Sequence, residues 1–250
     1  MINETIEKLY GMRLRTMAVA FKEQLDHPNM NDLSFEDRLK MMVDREWTAR
    51  ENKKLHRRIK VARLKQRATI EDIDYRYPRD LDKSVVLSLA SCHWIRAHHN
   101  VIITGGTGIG KSYLGEAFAD KACREGFTAI RYRQGELFEA LKVANGLGTL
   151  SKFRQNLAKT DLLVVDDFVL LPLSEDERRD FLDIMEDRHG LRSTIFTSQY
   201  PIATWHARIG DPTMADAILD RIVHNSHKIT LKGESMRKLL FDMTDTEPER

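Results

Sequence analysis

The stretch VIITGGTGIGKSYLGEAF, residues 101–118, decides the fold of this chain. Its first four residues favour a short buried strand. A glycine-rich turn follows, in which Gly105 and Gly110 are spaced so that Lys111 and Ser112 open a helix. In this context main-chain N–H groups surround a phosphate and the lysine ammonium binds its oxygens. The predicted contact residues are Gly105, Gly106, Thr107, Gly108, Ile109, Gly110, Lys111, Ser112 and Tyr113.

Outward from this loop, apolar runs alternate with helical stretches. The predicted strands are 101–104, 128–132, 162–166 and 193–197, and the predicted helices are about 84–98, 111–124, 135–145, 174–189 and 213–224. Such alternation predicts an α/β fold, with a mostly parallel sheet covered by helices on both faces. We expect this domain to span residues 76–250.

A second motif, DLLVVDDF at residues 161–168, places Asp166 and Asp167 at the end of an apolar strand. Burying two carboxylates is costly unless a cation lies beside them. We therefore expect Mg²⁺ to be bound by the Ser112 hydroxyl and, through water, by Asp166, and we expect Asp167 to orient the attacking water. Without the glycine-rich loop, the same two aspartates would also fit a helix N-cap.

Four polar residues further along the chain are additional candidates. In STIFTSQY (193–200), Gln199 or Ser198 is placed to reach a γ-phosphate, although both also fit an ordinary polar strand end. Arg221 lies on an amphipathic helix and could make a surface ion pair instead of acting in the site. Arg237, in KGESMRK, could approach the γ-phosphate or bind helix-end charges.

Composition limits the class of protein. Hydrophobic residues make up 42% of the 250 residues and charged residues 31%, as in an ordinary soluble domain. We find no apolar run long enough to span a membrane and no apolar export signal at the N-terminus. Two cysteines do not form a disulfide framework. These features predict a cytoplasmic protein without a membrane partner.

The N-terminal part, residues 1–75, is predicted to be a small helical domain with a long helix or a helix pair from Phe35 to about Ala68. Residues 38–67 hold twelve Lys or Arg and three Asp or Glu, whereas the whole chain has a net charge of only +2. This asymmetry indicates an anionic polymer as partner. The alternative is a solvated helix face.

Together these motifs resemble the AAA+ ATPases of the initiator and helicase-loader group, and most closely the IstB-type transposition helpers. The resemblance lies in GGTGIGKS, in LSFEDRLKMMVDREW (33–47), in TSQYP (197–201) and in the tail DPTMADAILDRIVHNSHKITLKGESMRK (211–238). It implies ATP and Mg²⁺ as cofactors. It also implies a Walker B pair at Asp166 and Asp167, sensor 1 at Gln199 or Ser198, an arginine finger at Arg221 and sensor 2 at Arg237.

The resemblance further implies a homo-oligomer that assembles on duplex DNA and regulates a transposase. The basic segment then becomes a DNA-backbone clamp. Its predicted contacts are Lys53, Lys54, Arg57, Arg58, Lys60 and Arg63. Two departures stand out: Asp167 stands where most AAA+ proteins have Glu, and Val169 stands where we expect Gly.

Three rival functions stay open on sequence alone. A DnaC-like helicase loader would share the ATPase core but bind a helicase through its N-terminal part. A nucleotide-gated DNA-bending scaffold would use the same motifs with incidental turnover. A small-molecule kinase is less favoured, since nothing in the sequence resembles an acceptor lid.

Overall fold

The computed structural model describes residues 2–27, 30 and 32–236. These fall into two compact units, residues 1–57 and residues 58–250. The helices of the first unit are α1 (Ile2–Gly11), α2 (Arg15–Asp26) and most of α3 (Phe35–Ala62). The two units divide within α3. The predicted domain boundary after residue 75 stays a prediction.

In the first unit, one carboxylate fixes the start of α2. Buried Glu46, on α3, accepts the N–H groups of Thr16 and Met17 at 2.9 and 3.0 Å. The first N–H groups of a helix have no partner within the helix, so this carboxylate supplies what α2 lacks. Arg50 Nε lies 2.7 Å from Glu46 Oε1 and balances its charge. The predicted helical character of this region is confirmed.

The second unit is built on a five-stranded sheet with strand order β2-β3-β4-β1-β5. All of its pairings are parallel. The strands are β1 (Asn100–Gly105), β2 (Ala129–Arg133), β3 (Leu162–Asp166), β4 (Ser193–Ser198) and β5 (Ser226–Leu231). The prediction of a parallel sheet is confirmed, and β1, β3 and β4 lie in its buried centre.

Helices connect and cover these strands. They are α4 (Lys83–Ala90), α5 (His93–Arg96), α6 (Lys111–Arg124), α7 (Gln134–Gly146), α8 (Leu150–Lys159), α9 (Glu175–Arg188), α10 (Trp205–Ile209) and α11 (Pro212–Val223). Gly115 of α6 faces Val164 and Ile195 on one side of the sheet. On the other side, an apolar cluster contains Phe168, Phe181 and Trp205 together with side chains of α7, α9 and α11. Both faces are therefore covered, as predicted.

Several details differ from the predictions. The helix predicted to continue to about Ala68 ends at Ala62, where Arg63 adopts a left-handed backbone with φ 56°. The helix predicted over 84–98 is divided at Cys92, which has φ 57°. Helices α8 and α10 and strand β5 were not predicted. Strand β5 is an edge strand with several exposed polar residues, so its apolar pattern is weak.

Buried Arg188 lies at the amino edge of the sheet, meaning the side on which the parallel strands begin. Its guanidinium donates to the carbonyls of Leu157, Thr160 and Ser193 and to the hydroxyl of Thr194. These acceptors lie before β3 and at the start of β4. Burial lowers the pKa of Arg188 to about 9. One side chain thus joins the segments that lead into two neighbouring strands.

Both cysteines are free thiols in the interior of the second unit. Burial raises the pKa of Cys92 and of Cys123 to about 11. A thiol with a raised pKa stays protonated and is a poor nucleophile, so both act as small apolar groups. Separately, the helices of the described residues are too short or too polar to cross a membrane.

Candidate nucleotide-binding site

The glycine-rich loop follows β1 and leads into α6. Gly108 and Gly110 have φ values of 76° and 98°, a region that favours glycine. A Cβ atom on Gly108 would lie 2.1 Å from Ser235 Oγ, and one on Gly110 would lie 2.4 Å from Arg79 Nη1. The backbone conformation therefore favours glycine at both positions. The loop can present its N–H groups to an anion.

Lys111 and Ser112 begin α6 as the motif predicts. The Lys111 side chain is buried, and its Nζ donates to the carbonyl of Gly106 at 2.6 Å. Its ammonium is thus held across the loop, where a phosphate would lie. Ser112 Oγ donates to Asp166 Oδ1 at 2.8 Å. The structure therefore brings together the two residues predicted to bind Mg²⁺.

Asp166 ends β3 and is almost fully buried. Besides Ser112, its Oδ1 accepts the hydroxyl of Thr197, at the end of β4. Its Oδ2 accepts the guanidinium of Arg131, from the middle of β2. Serine hydroxyl and carboxylate oxygens are ligands that suit Mg²⁺, so this donor set fits that ion.

Asp167 begins a tight loop after β3. It has φ 58°, and its N–H donates to Thr197 Oγ1 at 3.1 Å. Burial, followed by the charge of Asp166, raises the pKa of Asp167. Arg133 Nε lies 3.6 Å from Asp167 Oδ2. The left-handed backbone turns this carboxylate away from the strand direction and into the pocket.

The loop also contains the departure at Val169, whose φ is 52°. A β-branched residue is strained in that conformation. Its N–H donates to the side chain of Gln134, and its carbonyl accepts Arg208 Nε at 2.6 Å. Arg208 Nη2 also donates to the carbonyl of Leu170 at 2.7 Å. Side-chain bonds from α7 and α10 therefore hold the loop in the shape that glycine would adopt freely.

The structure separates the two candidates at the end of β4. Gln199 lines the pocket, and its Oε1 accepts the hydroxyl of Thr107 in the glycine-rich loop at 2.8 Å. Ser198 is buried, and its Oγ donates to the carbonyl of Phe168 at 2.8 Å. Gln199 is thus in position to contact a phosphate, whereas Ser198 supports the loop after β3.

These residues surround a pocket of about 400 Å³. Its lining includes the glycine-rich loop, Lys111, Ser112, Asp167 and Gln199. The other lining residues are Gln66, Asp72, Ile73, Asp74, Arg79, Tyr113, Arg133 and Met236. The pocket therefore adjoins the glycine-rich loop and has a volume that suits a small-molecule ligand.

Arg221 lies at the amino edge of the sheet, where β1 begins, and not at the edge that holds the glycine-rich loop. Its carbonyl accepts Asn100 Nδ2 at 3.3 Å, and Asn100 begins β1, whereas the glycine-rich loop follows the end of β1. The length of that strand separates the two by roughly 16 Å. The Arg221 guanidinium pairs with Glu186 Oε2 at 2.6 Å. Arg237, the second arginine candidate, lies outside the described residues.

The basic residues of the second unit show two kinds of environment. Lys60 is exposed, whereas Arg58 is half-buried and its Nε donates to the carbonyl of Cys123 at 2.9 Å. The exposed Arg63 guanidinium stacks over the ring of Tyr132, 5.0 Å from its centroid. Arg58 and Arg63 thus have contacts within their own unit.

In the first unit, Lys53, Lys54 and Arg57 are all exposed on α3. Lys54 Nζ pairs with Glu51 at 2.8 Å.

Sequence reasoning did not identify Arg131, Arg133 or Thr197. A signal existed for Thr197, which lies one residue before the end of β4. Because β4 is parallel to β3 and next to it, the end of β4 lies beside Asp166 at the end of β3. Arg131 stands inside an apolar strand, where a charged residue is unusual and calls for a partner. Neither position could be assigned without the strand order.

The family of IstB-like ATP binding proteins matches residues 7–240. An insertion sequence ATP-binding protein of Sinorhizobium fredii is 44% identical over 234 residues, which cover 94% of this chain and 96% of that protein.

Two solved structures share the fold. AMPPCP-bound DnaA from Aquifex aeolicus has a TM-score of 0.57 and 21% identity, over 75% of this chain and 59% of that chain. The DnaC helicase loader has a TM-score of 0.54 and 20% identity, over 66% of this chain and 97% of that chain. Together with the parallel sheet and glycine-rich loop described above, the family match and the 44% identity establish that the chain belongs to the IstB-like ATP binding proteins.

Proposed function

We propose that this protein is an ATPase that binds ATP with Mg²⁺, assembles as a homo-oligomer on duplex DNA and regulates a transposase. The observation that carries the ATPase part is the 2.8 Å contact between Ser112 Oγ and Asp166 Oδ1, beside the glycine-rich loop and buried Lys111. Membership of an ATP-binding family supports the nucleotide. AMPPCP in the DnaA structure is in keeping with an ATP-type ligand.

Each side chain of the site has a defined task in this proposal. The loop N–H groups and Lys111 bind the phosphates, and Lys111 exchanges its bond to Gly106 for phosphate oxygens. Ser112 and Asp166 would hold Mg²⁺, which neutralises phosphate charge when bound. Asp167 and Gln199 line the pocket near the loop, where they can orient water and the terminal phosphate.

Replacing Lys111 by Ala tests the nucleotide site. We expect ATP binding to be lost while circular dichroism stays that of the folded protein, because a single ammonium is removed without a change in the sheet. Lys159→Ala, at the end of α8, is a matched loss of one lysine outside the pocket. ATP affinity equal to wild type in a folded Lys111→Ala protein would refute the proposed site.

Assembly is proposed because Arg221 cannot serve its own pocket. It lies at the amino edge of the sheet, whereas the glycine-rich loop lies at the carboxyl edge, where the strands end. A guanidinium at a domain edge is available to the nucleotide of a neighbouring copy, once it leaves Glu186. The proposed oligomer thus makes hydrolysis depend on a second subunit.

DNA binding is proposed from the exposed charges of the basic segment. Lys53, Lys54 and Arg57 in the first unit, and Lys60 in the second, are exposed and able to neutralise phosphates. Arg58 and Arg63 remain candidates, but their contacts with Cys123 and Tyr132 also give them structural roles. We expect little base readout, since contacts to phosphates carry no sequence information.

The salt dependence of binding tests this assignment. Replacing Lys53, Arg57 and Lys60 by Ala should lower the log–log salt slope by about 0.9 for each phosphate that is no longer neutralised, equally for unrelated duplexes. A triple variant of Lys8, Lys159 and Arg179 removes three positive charges elsewhere and serves as the control. If both triple variants show the wild-type slope, the basic segment is a solvated face.

A helicase loader is the second candidate, because this chain covers 97% of the DnaC structure's length. The two functions differ in the protein partner. Purified protein with ATP should retain a transposase of an insertion sequence and not a replicative helicase in a pull-down. Retention of the helicase alone would favour the loader.

A further inference from the structure

Arg131 is a buried arginine in the middle of β2. Its side chain is only 2% exposed, as are those of two neighbouring acids, Glu116 and Asp166. Nη2 donates to Asp166 Oδ2, Nη1 lies 3.4 Å from Glu136 Oε2, and Nε lies 3.4 Å from Glu116 Oε1. A single guanidinium therefore faces three carboxylates from three different elements.

Stability alone does not explain this arrangement. Buried ion pairs lose much of their attraction to desolvation, and apolar residues of similar volume often stabilise a protein equally well or better. At position 131 an apolar side chain would suit a covered sheet. A role in orienting one of the three acids accounts better for a guanidinium at this position.

The two oxygens of Asp166 are divided between two tasks. Oδ2 is bound by Arg131, whereas Oδ1 faces the hydroxyls of Ser112 and Thr197. The bond to Arg131 thus prevents the carboxylate from turning about its own axis. It keeps Oδ1 directed at the side of the site where Ser112 would bind Mg²⁺.

The guanidinium is itself held by acids that fix the chain just after α3. Glu116 Oε2 accepts the N–H groups of Lys65 and Gln66 at 3.1 and 3.0 Å. Lys65 Nζ binds Glu136 Oε1 at 2.8 Å. One connected set of polar contacts therefore joins residues 65 and 66, helix α6 and Asp166.

We propose that Arg131 is a positioning residue for the Mg²⁺ site, held in place by Glu116 and, through it, by residues 65–66. This rests on the proposed function, since it takes Mg²⁺ to bind Ser112 and Asp166. Removing the donor to Oδ2 lets the carboxylate turn away from Ser112. Losing such a support of a metal ligand typically lowers metal affinity or activity about 10–100-fold.

The test is a Mg²⁺ titration of the binding of a fluorescent ATP analogue, with EDTA as the metal-free reference. We expect Arg131→Met to need about 10–100-fold more Mg²⁺ for the half-maximal effect, while affinity in EDTA stays that of wild type. Glu116→Gln keeps an oxygen for the N–H groups of residues 65 and 66 but removes the charge beside Arg131. It should shift the Mg²⁺ requirement in the same direction by a smaller factor.

Arg154→Met is the matched control, because Arg154 also bridges two acids. Its Nη2 and Nη1 lie 2.7 and 2.8 Å from Asp180 and Asp183, between α8 and α9. Its Mg²⁺ requirement should match that of wild type. A purely structural role for Arg131 would lower thermal stability in both arginine variants without moving the Mg²⁺ midpoint.

The outcomes separate this inference from the proposed function. An unchanged Mg²⁺ midpoint in folded Arg131→Met overturns the positioning role, and a lower midpoint shows instead that the guanidinium competes with the metal. If Arg131→Met does not fold, an unchanged midpoint in Glu116→Gln overturns it. ATP binding that ignores Mg²⁺ in the wild type would refute the metal site itself, whereas nucleotide binding by Lys111→Ala bears on the proposed function alone.

Discussion

The two edges of the parallel sheet both contain buried charged side chains, but they use them differently. At the amino edge, the Arg188 guanidinium is enclosed by main-chain carbonyls and one hydroxyl. At the carboxyl edge, buried Lys111 and half-buried Asp167 line a pocket of about 400 Å³, and buried Asp166 bonds the lining residue Ser112. A buried charge surrounded by fixed main-chain partners holds the fold, whereas a buried charge beside a cavity is available to a ligand.

The largest effect is expected for a variant at Arg221. This arginine lies at the amino edge but is proposed to act in catalysis, so it would break the division between the two edges. Arg221→Ala should keep ATP affinity but lower hydrolysis by about 10³–10⁵-fold, as expected for a lost arginine finger. Steady-state hydrolysis and ATP binding measure the two quantities. Mixing Arg221→Ala with Lys111→Ala should restore part of the activity, since each supplies what the other lacks.

Glu186→Gln is the matched control for that experiment. It breaks the same ion pair within the chain while leaving the Arg221 guanidinium intact, so hydrolysis should stay near the wild-type rate. An inactive mixture, in hetero-oligomers shown to form, would remove Arg221 from the site of the neighbouring copy.

Asp167→Asn should sharpen the comparison at the carboxyl edge. We expect turnover to fall by about 10²–10⁴-fold, because the amide cannot accept a proton from the attacking water. ATP binding and the melting temperature should change little, since Asn has nearly the same shape. Asp176→Asn on exposed α9 controls for loss of a carboxylate. Wild-type turnover in Asp167→Asn would exclude it as the water-orienting residue.

Arg188→Met should lower the stability of the fold and leave the nucleotide site unchanged. Loss of the guanidinium leaves buried carbonyls without donors, which costs about 3 kcal/mol of unfolding free energy. For a unit of this size that lowers the melting temperature by roughly 6–12 °C. Calorimetry measures the shift, and ATP affinity of the folded fraction should be retained. Arg179→Met, an exposed arginine on α9, should have almost no effect. An equally small shift in Arg188→Met would contradict its structural role.

The smallest effect is expected at Val169, in the strained loop at the carboxyl edge. Val169→Gly relieves a left-handed β-branched residue, which offsets most of the apolar burial that it loses, so the net cost should be about 1 kcal/mol. Val165→Gly, in the extended strand β3, has no strain to relieve and should cost about 3 kcal/mol. Urea unfolding of both variants compares them. Equal costs would show that the φ of Val169 stores little strain.

The sequence was sufficient for the parts of the site that lie within a continuous motif. Lys111, Ser112 and the Asp166–Asp167 pair are predictable because loop geometry and strand ends require these residues at fixed spacing. Arg131 and Glu116 were not predictable, since they meet through strand order and the packing of α6. Strand β5 was missed because an edge strand needs few apolar residues. The shape of the loop at Val169 depends on Gln134 and Arg208, which are distant in sequence.

The strand order also fixes when the protein can fold during synthesis. Strand β2 meets β3 early, with Ala129 beside Leu162, but Val101 of β1 pairs with Ile195 and His227. At about 5–20 residues per second, a ribosome needs roughly 6–25 s to add the chain between β1 and the end of β5. Until then at least one side of β1, the apolar strand before the glycine-rich loop, lacks its partner strand. Free nucleotide stabilises only the folded state, so it can assist folding only after β5 has been synthesised.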